Sequence, residues 1–297
     1  MIRNNEEVFK GNLFAIAAYT IWGFFPIYWK LLQSIPSLEV MMHRILWSFL
    51  FYYLVNLIFK KRISLLPNVD FKVFALLFAA SLLLMTNWFL YIYAVNSNQI
   101  VESSLGYFIN PLFNVLMGIF ILKENLSRMK LISVLLAAVG VSVIAFSDFK
   151  IPWIALTLAV TFSFYGLIKK KCRIDASDSN QIESLIFVLP SLGYLFLYGT
   201  KLEHLVNQPI LCVYLIISGI ITGVPLLFFT GAAKRIPYYQ MGFYQFISPT
   251  LQFLCGVILF NEPVSYLKLS GFVFIWLSSM LLIYEFYKNS AKRMRFI

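Results

Sequence analysis

Two stripes of polar side chains interrupt an otherwise apolar sequence. Tyr107, Asn110, Pro111 and Asn114 form the first, and Gln245, Ser248, Pro249 and Gln252 the second. Positions i, i+3, i+4 and i+7 share one face of a helix, so each stripe is centred on a proline. A proline removes one backbone hydrogen bond and frees a carbonyl. At depth in a bilayer that is tolerated only where protein or a water-lined cavity satisfies the freed group. Amides facing lipid would be costly, so both stripes must face the interior. Their chemistry is hydrogen bonding, to a solute in a central cavity or between helices as packing contacts. Pro111 and Pro249 are the candidate bending points.

Further candidates surround them. Asn87, Trp88 and Tyr91 fall together in one apolar run, and Trp22 and Tyr165 in two others. Aromatics make up 18% of the chain, so a given ring is as readily a lipid-facing or interfacial residue as a cavity wall. His43 and Arg44 enter a further apolar run about one turn deep. A buried arginine is costly and is usually paired, and Glu39 and Glu102 are the acids at matching depth. Arg44 is therefore a structural ion pair with one of them, or an outer gate or anion contact together with His43 and Glu102.

Bond-making chemistry has no foothold. No CxxC, HExxH, GxGxxG or P-loop pattern occurs. Two histidines cannot build a histidine metal cluster, and the three cysteines form no motif. No cofactor or metal is expected. None of the 13 acids falls near the middle of an apolar run. A proton-coupled carrier of cations usually keeps a carboxylate there, so a strongly cationic solute is disfavoured. Coupling runs through His43 or a peripheral acid, or the solute gradient alone drives movement.

The elements that must position these residues are membrane helices. The chain is 60% apolar and only 12% charged, with a mean hydropathy of +0.80, against about half and a quarter for a soluble domain. A bilayer core takes about 20 apolar residues per helix. On that measure ten spans are expected, near 11–32, 38–59, 72–95, 100–122, 128–147, 151–169, 182–200, 210–233, 238–260 and 266–287. The first apolar run is too long for a cleaved signal peptide. No polar stretch is long enough for a soluble domain. The net charge of +11 reads as topology rather than nucleic-acid binding. With the N-terminus in the cytoplasm, 19 of the 24 Lys and Arg lie inside. Only Lys30, Arg44, Lys150, Lys201 and Lys268 lie outside, as the positive-inside rule requires.

The chain also repeats itself. Phe108, Ile109, Pro111, Leu116, Gly118, Glu124, Ser127, Lys130 and Leu131 recur 138 residues later as Phe246, Ile247, Pro249, Leu254, Gly256, Glu262, Ser265, Lys268 and Leu269. That is 9 identities in 24 ungapped positions, where roughly two arise by chance. Five spans per half is an odd number, so the second half enters from the opposite side. The expectation is an all-α membrane protein of ten transmembrane helices in two inverted-topology five-helix repeats, 11–147 and 151–287. Cytoplasmic tails would cover 1–10 and 288–297. Inverted repeats suit a carrier that opens alternately to each side. Gly219 and Gly223 make a GxxxG suited to close helix packing.

The residues also carry a family likeness. Tyr19-x-x-Trp22-Gly23-x-x-Pro26, Glu39-x-x-x-His43-Arg44-x-x-Trp47-Ser48 and Asn87-Trp88-x-x-Tyr91-x-x-Ala94-Val95 lie in the first half. So does Glu102-x-Ser104-Leu105-Gly106-Tyr107-Phe108-Ile109-Asn110-Pro111-Leu112. Tyr244-Gln245-x-x-x-Pro249-Thr250-x-Gln252-Phe253 and Glu262-Pro263 lie in the second. Together they resemble the RarD-type branch of the EamA group, within the drug/metabolite transporter superfamily. The resemblance implies a permease of the bacterial inner membrane whose cavity is built from spans one, three, four, six, eight and nine. Such members move amino acids, other metabolites or drug-like compounds, mostly outward. A small-molecule substrate, a lipid bilayer and a monomeric or homodimeric state are the partners expected. An uncoupled facilitator, or a membrane sensor of an apolar ligand, stands as the alternative.

Overall fold

The computed structural model describes residues 5–58, 70–121, 127–171, 176–200, 208–236 and 244–294. Every regular element among them is helical. In chain order the elements are α1 (Asn5–Gly23), α2 (Phe25–Lys30), α3 (Ser37–Ile58), α4 (Phe71–Asn96), α5 (Ile100–Phe120) and α6 (Arg128–Asp148). They continue as α7 (Trp153–Lys171), α8 (Ala176–Tyr198), α9 (Pro209–Arg235), α10 (Ile247–Leu254) and α11 (Tyr266–Met294). A π-helical turn, Cys255–Leu259, prolongs α10.

Among the described residues, seven stretches are long and apolar enough to cross a membrane. They are Glu6–Lys30, Ser37–Val55, Phe71–Asn96, Arg128–Ser147, Ser179–Tyr198, Pro209–Phe229 and Tyr266–Glu285. Trp153–Lys169 and Ile247–Leu259 are shorter apolar helices. Large apolar side chains such as Phe71, Phe146, Leu189, Phe196 and Tyr266 point outward from the bundle. Water would penalise such a surface, whereas lipid is as apolar as the side chains themselves.

The helices differ from the expected spans where backbone chemistry intervenes. The first expected span is broken rather than continuous, because α1 ends at Gly23 and α2 restarts at Phe25 with Pro26 in its first turn. A proline there lacks an N–H that would have no helical partner anyway. A Cβ on Gly23 would lie 2.6 Å from Leu251, so α1 and α10 meet at that break. The ninth expected span is shorter in its described part. Pro249 falls in the first turn of α10, whereas Pro111 sits inside α5. The first, seventh and tenth spans run further at one end than hydropathy suggests, beginning at Asn5 and Ala176 and ending at Met294.

Packing follows small residues. Gly219 and Gly223 lie so close to α3 that a Cβ would meet Trp47 backbone at 2.3 Å and the Phe51 ring at 2.2 Å. On α5, Gly106 meets the Ala155 carbonyl of α7, and Gly140 of α6 meets the Gly271 carbonyl of α11. Two large apolar cores result among the described residues, beside two smaller clusters. One joins Trp29, Leu32, Ile45, Ile92, Leu158 and Leu215, and the other joins Leu105, Phe108, Phe253, Phe272 and Ile275.

Candidate functional site

Asn110 is the junction of the polar region. It is fully buried. Its Nδ2 donates to the Ala159 carbonyl at 3.2 Å and to Ser163 Oγ at 3.0 Å, both on α7. Its Oδ1 accepts from Gln245 Nε2 at 3.0 Å and from Asn114 Nδ2 at 3.3 Å. One amide thus ties α5 to α7 and to the segment leading into α10. The two polar stripes meet here, at the level of Pro111. Asn114 is exposed, one turn further along.

Asn87 does the same one level away. Its Nδ2 donates to the Leu158 carbonyl at 2.9 Å and to Thr161 Oγ1 at 3.1 Å, while Tyr107 donates its hydroxyl to Oδ1 at 3.1 Å. Gln252 mirrors this on the other side of the bundle. Its Nε2 donates to the Trp22 carbonyl at 3.2 Å and to Ser248 Oγ at 3.0 Å, and its buried Oε1 has no partner. The Trp22 carbonyl lies beside the α1–α2 break, where the helical ladder is interrupted. The amide donors of Asn110, Gln245 and Gln252 are therefore engaged between helical segments, while that of Asn114 stays within α5.

Rings cover these amides. Tyr107 packs edge-on to Tyr91 at 5.7 Å and to Phe162 at 6.2 Å, and Phe162 leads to Tyr165 at 5.9 Å. Trp22 packs against Tyr19 and Phe229. Trp22, Trp88, Tyr107 and Tyr165 are each partly accessible, and Tyr91 is buried with an unpartnered hydroxyl. Tyr165 also donates to Glu183 Oε2 at 3.2 Å, beside the Lys169–Glu183 ion pair at 2.5 Å.

Arg44 departs from the ion pair considered for it. Glu39 instead accepts from the Thr200 N–H at 2.9 Å and its hydroxyl at 2.8 Å. Glu102 Oε1 accepts from the Ile154 N–H at 3.1 Å. The two acids cap neighbouring chain ends, so no carboxylate among the described residues forms an ion pair with Arg44. Its Nε donates to Thr222 Oγ1 of α9 at 2.9 Å, and its guanidinium lies over Trp88 at 3.8 Å and Trp29 at 4.9 Å. The adjacent His43 is partly buried with an unpartnered Nδ1.

Sequence reasoning missed several of these partners. Thr222, Trp29 and the α7 residues Thr161 and Ser163 carry no motif, and only the packing reveals them. It also missed what the helix-exit Glu262 does. Its two oxygens accept the N–H groups of Ile100 and Val101 at 2.7 and 2.8 Å. That satisfies the orphan donors at the start of α5, where a negative charge is favoured. Asn261, at φ 50°, makes the tight turn that delivers it. The repeat counterpart Glu124 lies outside the described residues. No group of His, Cys, Asp and Glu suited to a metal occurs among the described residues.

Comparison with known proteins agrees with this architecture. The model of the EamA-like transporter family matches twice, over residues 9–146 and 150–284. The uncharacterized transporter YojE of Bacillus subtilis is 39% identical, covering 97% of this chain and 98% of its own. Protein RarD of Escherichia coli is also 39% identical, over 94% and 96% of the two chains. The chloramphenicol-sensitive protein RarD of Pseudomonas aeruginosa is 27% identical over 92% and 93%. A solved crystal structure shares the fold at a TM-score of 0.61 and 16% identity, covering 92% of this chain and 96% of that one. Apolar helices, two family matches and full-length bacterial relatives lead to one conclusion: the chain is a multi-pass membrane transporter, not an enzyme, and belongs to the EamA-like transporter family on its RarD-type branch.

Proposed function

We propose that this transporter is a secondary permease that moves small organic metabolites or drug-like compounds by alternating access, with export as its direction. In this reading the chain crosses the bacterial inner membrane ten times. Its two inverted five-helix halves are 11–147 and 151–287, and both tails are cytoplasmic. The solute sits between the halves, lined by Trp22, Trp88, Tyr91, Tyr107 and Tyr165. Asn87, Asn110, Asn114, Gln245 and Gln252 supply hydrogen bonds that can be exchanged for bonds to it. Pro111 and Pro249 are the bending points, and His43 with Glu102 marks the outer gate.

The observation that carries this reading is the packing order of the helices. Exchanging the halves turns the α5–α7 contact into the α10–α1 contact, α1–α9 into α7–α4, and α9–α3 into α4–α8. Of the other contacts, α6–α11, α3–α8 and α5–α10 map onto themselves, and α3–α4 maps onto a smaller α8–α9 contact. A pairing table that survives this exchange is what a pseudo-two-fold axis in the membrane plane produces. The two family matches divide the chain in the same way.

Sidedness adds support. Glu39–Thr200, Glu102–Ile154, Glu262–Ile100 and Lys30–Asn98 each join two expected outer ends. Glu7–Arg235, Lys169–Glu183 and Ser127–Glu285 each join two expected inner ends. The name of the Pseudomonas relative keeps a drug-like solute among the candidates.

The test is uptake into proteoliposomes of purified protein from a labelled mixture of amino acids and aromatic antibiotics, with and without an inside-acid pH gradient. Protein-dependent uptake of at least one solute is expected, and uptake no greater than in empty liposomes would refute the reading. Accumulation that needs the gradient would assign proton coupling. Equilibration that ignores it would assign a facilitator, in keeping with acids held at helix ends.

A further inference from the structure

Among the described residues, Arg44 is a cation buried without a counter-charge. It is 3% exposed, and burying a charge is costly unless a partner offsets the lost hydration. Its position is deep. Thr222, which accepts from its Nε, is 13 residues along the 27-residue helix α9. At 1.5 Å per residue that is about 20 Å from the start, near mid-length.

The groups around it are donors and rings, not acids. Trp88, Trp29 and Phe25 lie at 3.8, 4.9 and 5.9 Å from its guanidinium carbon. Such rings favour the cation through their faces, and they leave the N–H edge unused. Along that edge only Nε is bonded, while Nη1 is buried with no partner. Trp29 Nε1 and the Tyr91 hydroxyl are also buried without partners. Tyr107, Tyr91, Tyr52 and Tyr28 lie within electrostatic range of the charge. Nearby acids are committed elsewhere, Glu39 to Thr200 and Glu183 to Lys169.

We infer that Arg44 is the anion-binding point of the transport site, and that its ligand is the carboxylate of a small organic acid with an aromatic or apolar body. The inference rests on the transporter reading and specifies its substrate class. A planar guanidinium edge matches a carboxylate in two parallel hydrogen bonds, and unsatisfied hydroxyl and indole donors suit the same acceptor. The rings accommodate the body. No described carboxylate faces the site to receive an ammonium group, which favours a simple acid over a zwitterion. The bound anion supplies the counter-charge that the described residues withhold.

The experiment is thermal unfolding of the purified full chain in detergent with phenylacetate, phenylacetamide or inorganic phosphate. Phenylacetate is expected to raise the midpoint in a saturable way, while the isosteric amide and phosphate do not. Arg44→Lys should weaken the apparent affinity about tenfold, and Arg44→Gln should abolish the acid preference. Equal shifts by acid and amide, an equal shift by phosphate, no shift with any probe, or an acid preference that survives Arg44→Gln would each overturn the assignment. If Arg44→Gln does not fold, the acid–amide comparison on the unaltered protein and on Arg44→Lys still decides. Failure of the broader reading is distinguishable. Acid binding with no uptake into proteoliposomes would sink the transporter mechanism but uphold the anion site. Uptake of neutral solutes alone, untouched by phenylacetate, would do the reverse.

Discussion

At the scale of single residues, Asn110 and Arg44 show two fates of a buried polar group. Asn110 is satisfied on every side, so its removal orphans partners on α7 and at Gln245. Interhelical hydrogen bonds in membranes average about 0.6 kcal/mol each, and unsatisfied partners add to the loss. Asn110→Leu is expected to destabilise the fold by about 2 kcal/mol, read as a lower unfolding midpoint in detergent; an unchanged midpoint would mean these bonds contribute nothing. Gln252 keeps an unpartnered oxygen beside the α1–α2 break. Gln252→Leu should therefore cut uptake at least tenfold at normal expression, and full activity would remove it from the solute path. Asn110 was legible in the sequence as part of a stripe. Its partners were not, because the Ala159 carbonyl is 49 residues away and backbone groups carry no sequence signal. Arg44 was legible as a costly residue, but its partner was misjudged. Depth along a helix suggested Glu39 or Glu102, whereas the carboxylates went to nearby N–H groups.

At the scale of elements, glycine spacing and helix ends carry the structure. The Gly219–Gly223 pair reads in the sequence as a close-packing face, and α3 occupies that face. A Cβ at Gly219 would lie 2.3 Å from Trp47 backbone, and backbone cannot step aside cheaply. Gly219→Ala should cost about 1–3 kcal/mol, measured as a loss of unfolding midpoint, and a neutral substitution would show that α3 and α9 can separate freely. Glu262→Ala removes the carboxylate that caps α5. A loss of about 1 kcal/mol is expected, with Glu262→Gln losing less because its oxygen can still accept one N–H. Equal losses for both would mean that the charge, not the hydrogen bonding, holds the end. The break between α1 and α2 was not legible as a break. Hydropathy runs straight through Gly23 and Pro26, and a proline in a first turn looks the same as one inside a helix until the register is known. Pro249 lies in the first turn of α10, and residues 237–243 of the expected ninth span lie outside the described residues.

At the scale of the whole molecule, the repeat in the sequence and the exchange symmetry of the packing point the same way. The repeat was legible because proline, glycine and glutamate are uncommon in apolar helices, so their coincidence stands above a background of Leu and Ile. The identity of the solute was not legible, since selectivity depends on which donors the packing leaves unpartnered. In the proposed reading, two inverted halves around a shared site would make a carrier rather than a pore, because one conformation would be exposed to each side in turn. If the loaded form of such a carrier reorients faster than the empty one, solute on the far side should accelerate entry. The decisive measurement is counterflow. Proteoliposomes are preloaded with an unlabelled solute that the protein transports, and entry of the labelled solute is followed against unloaded vesicles. Alternating access predicts faster, transient accumulation in the preloaded vesicles. Entry that is independent of internal solute would contradict it and leave a channel or a non-transporting binding protein instead.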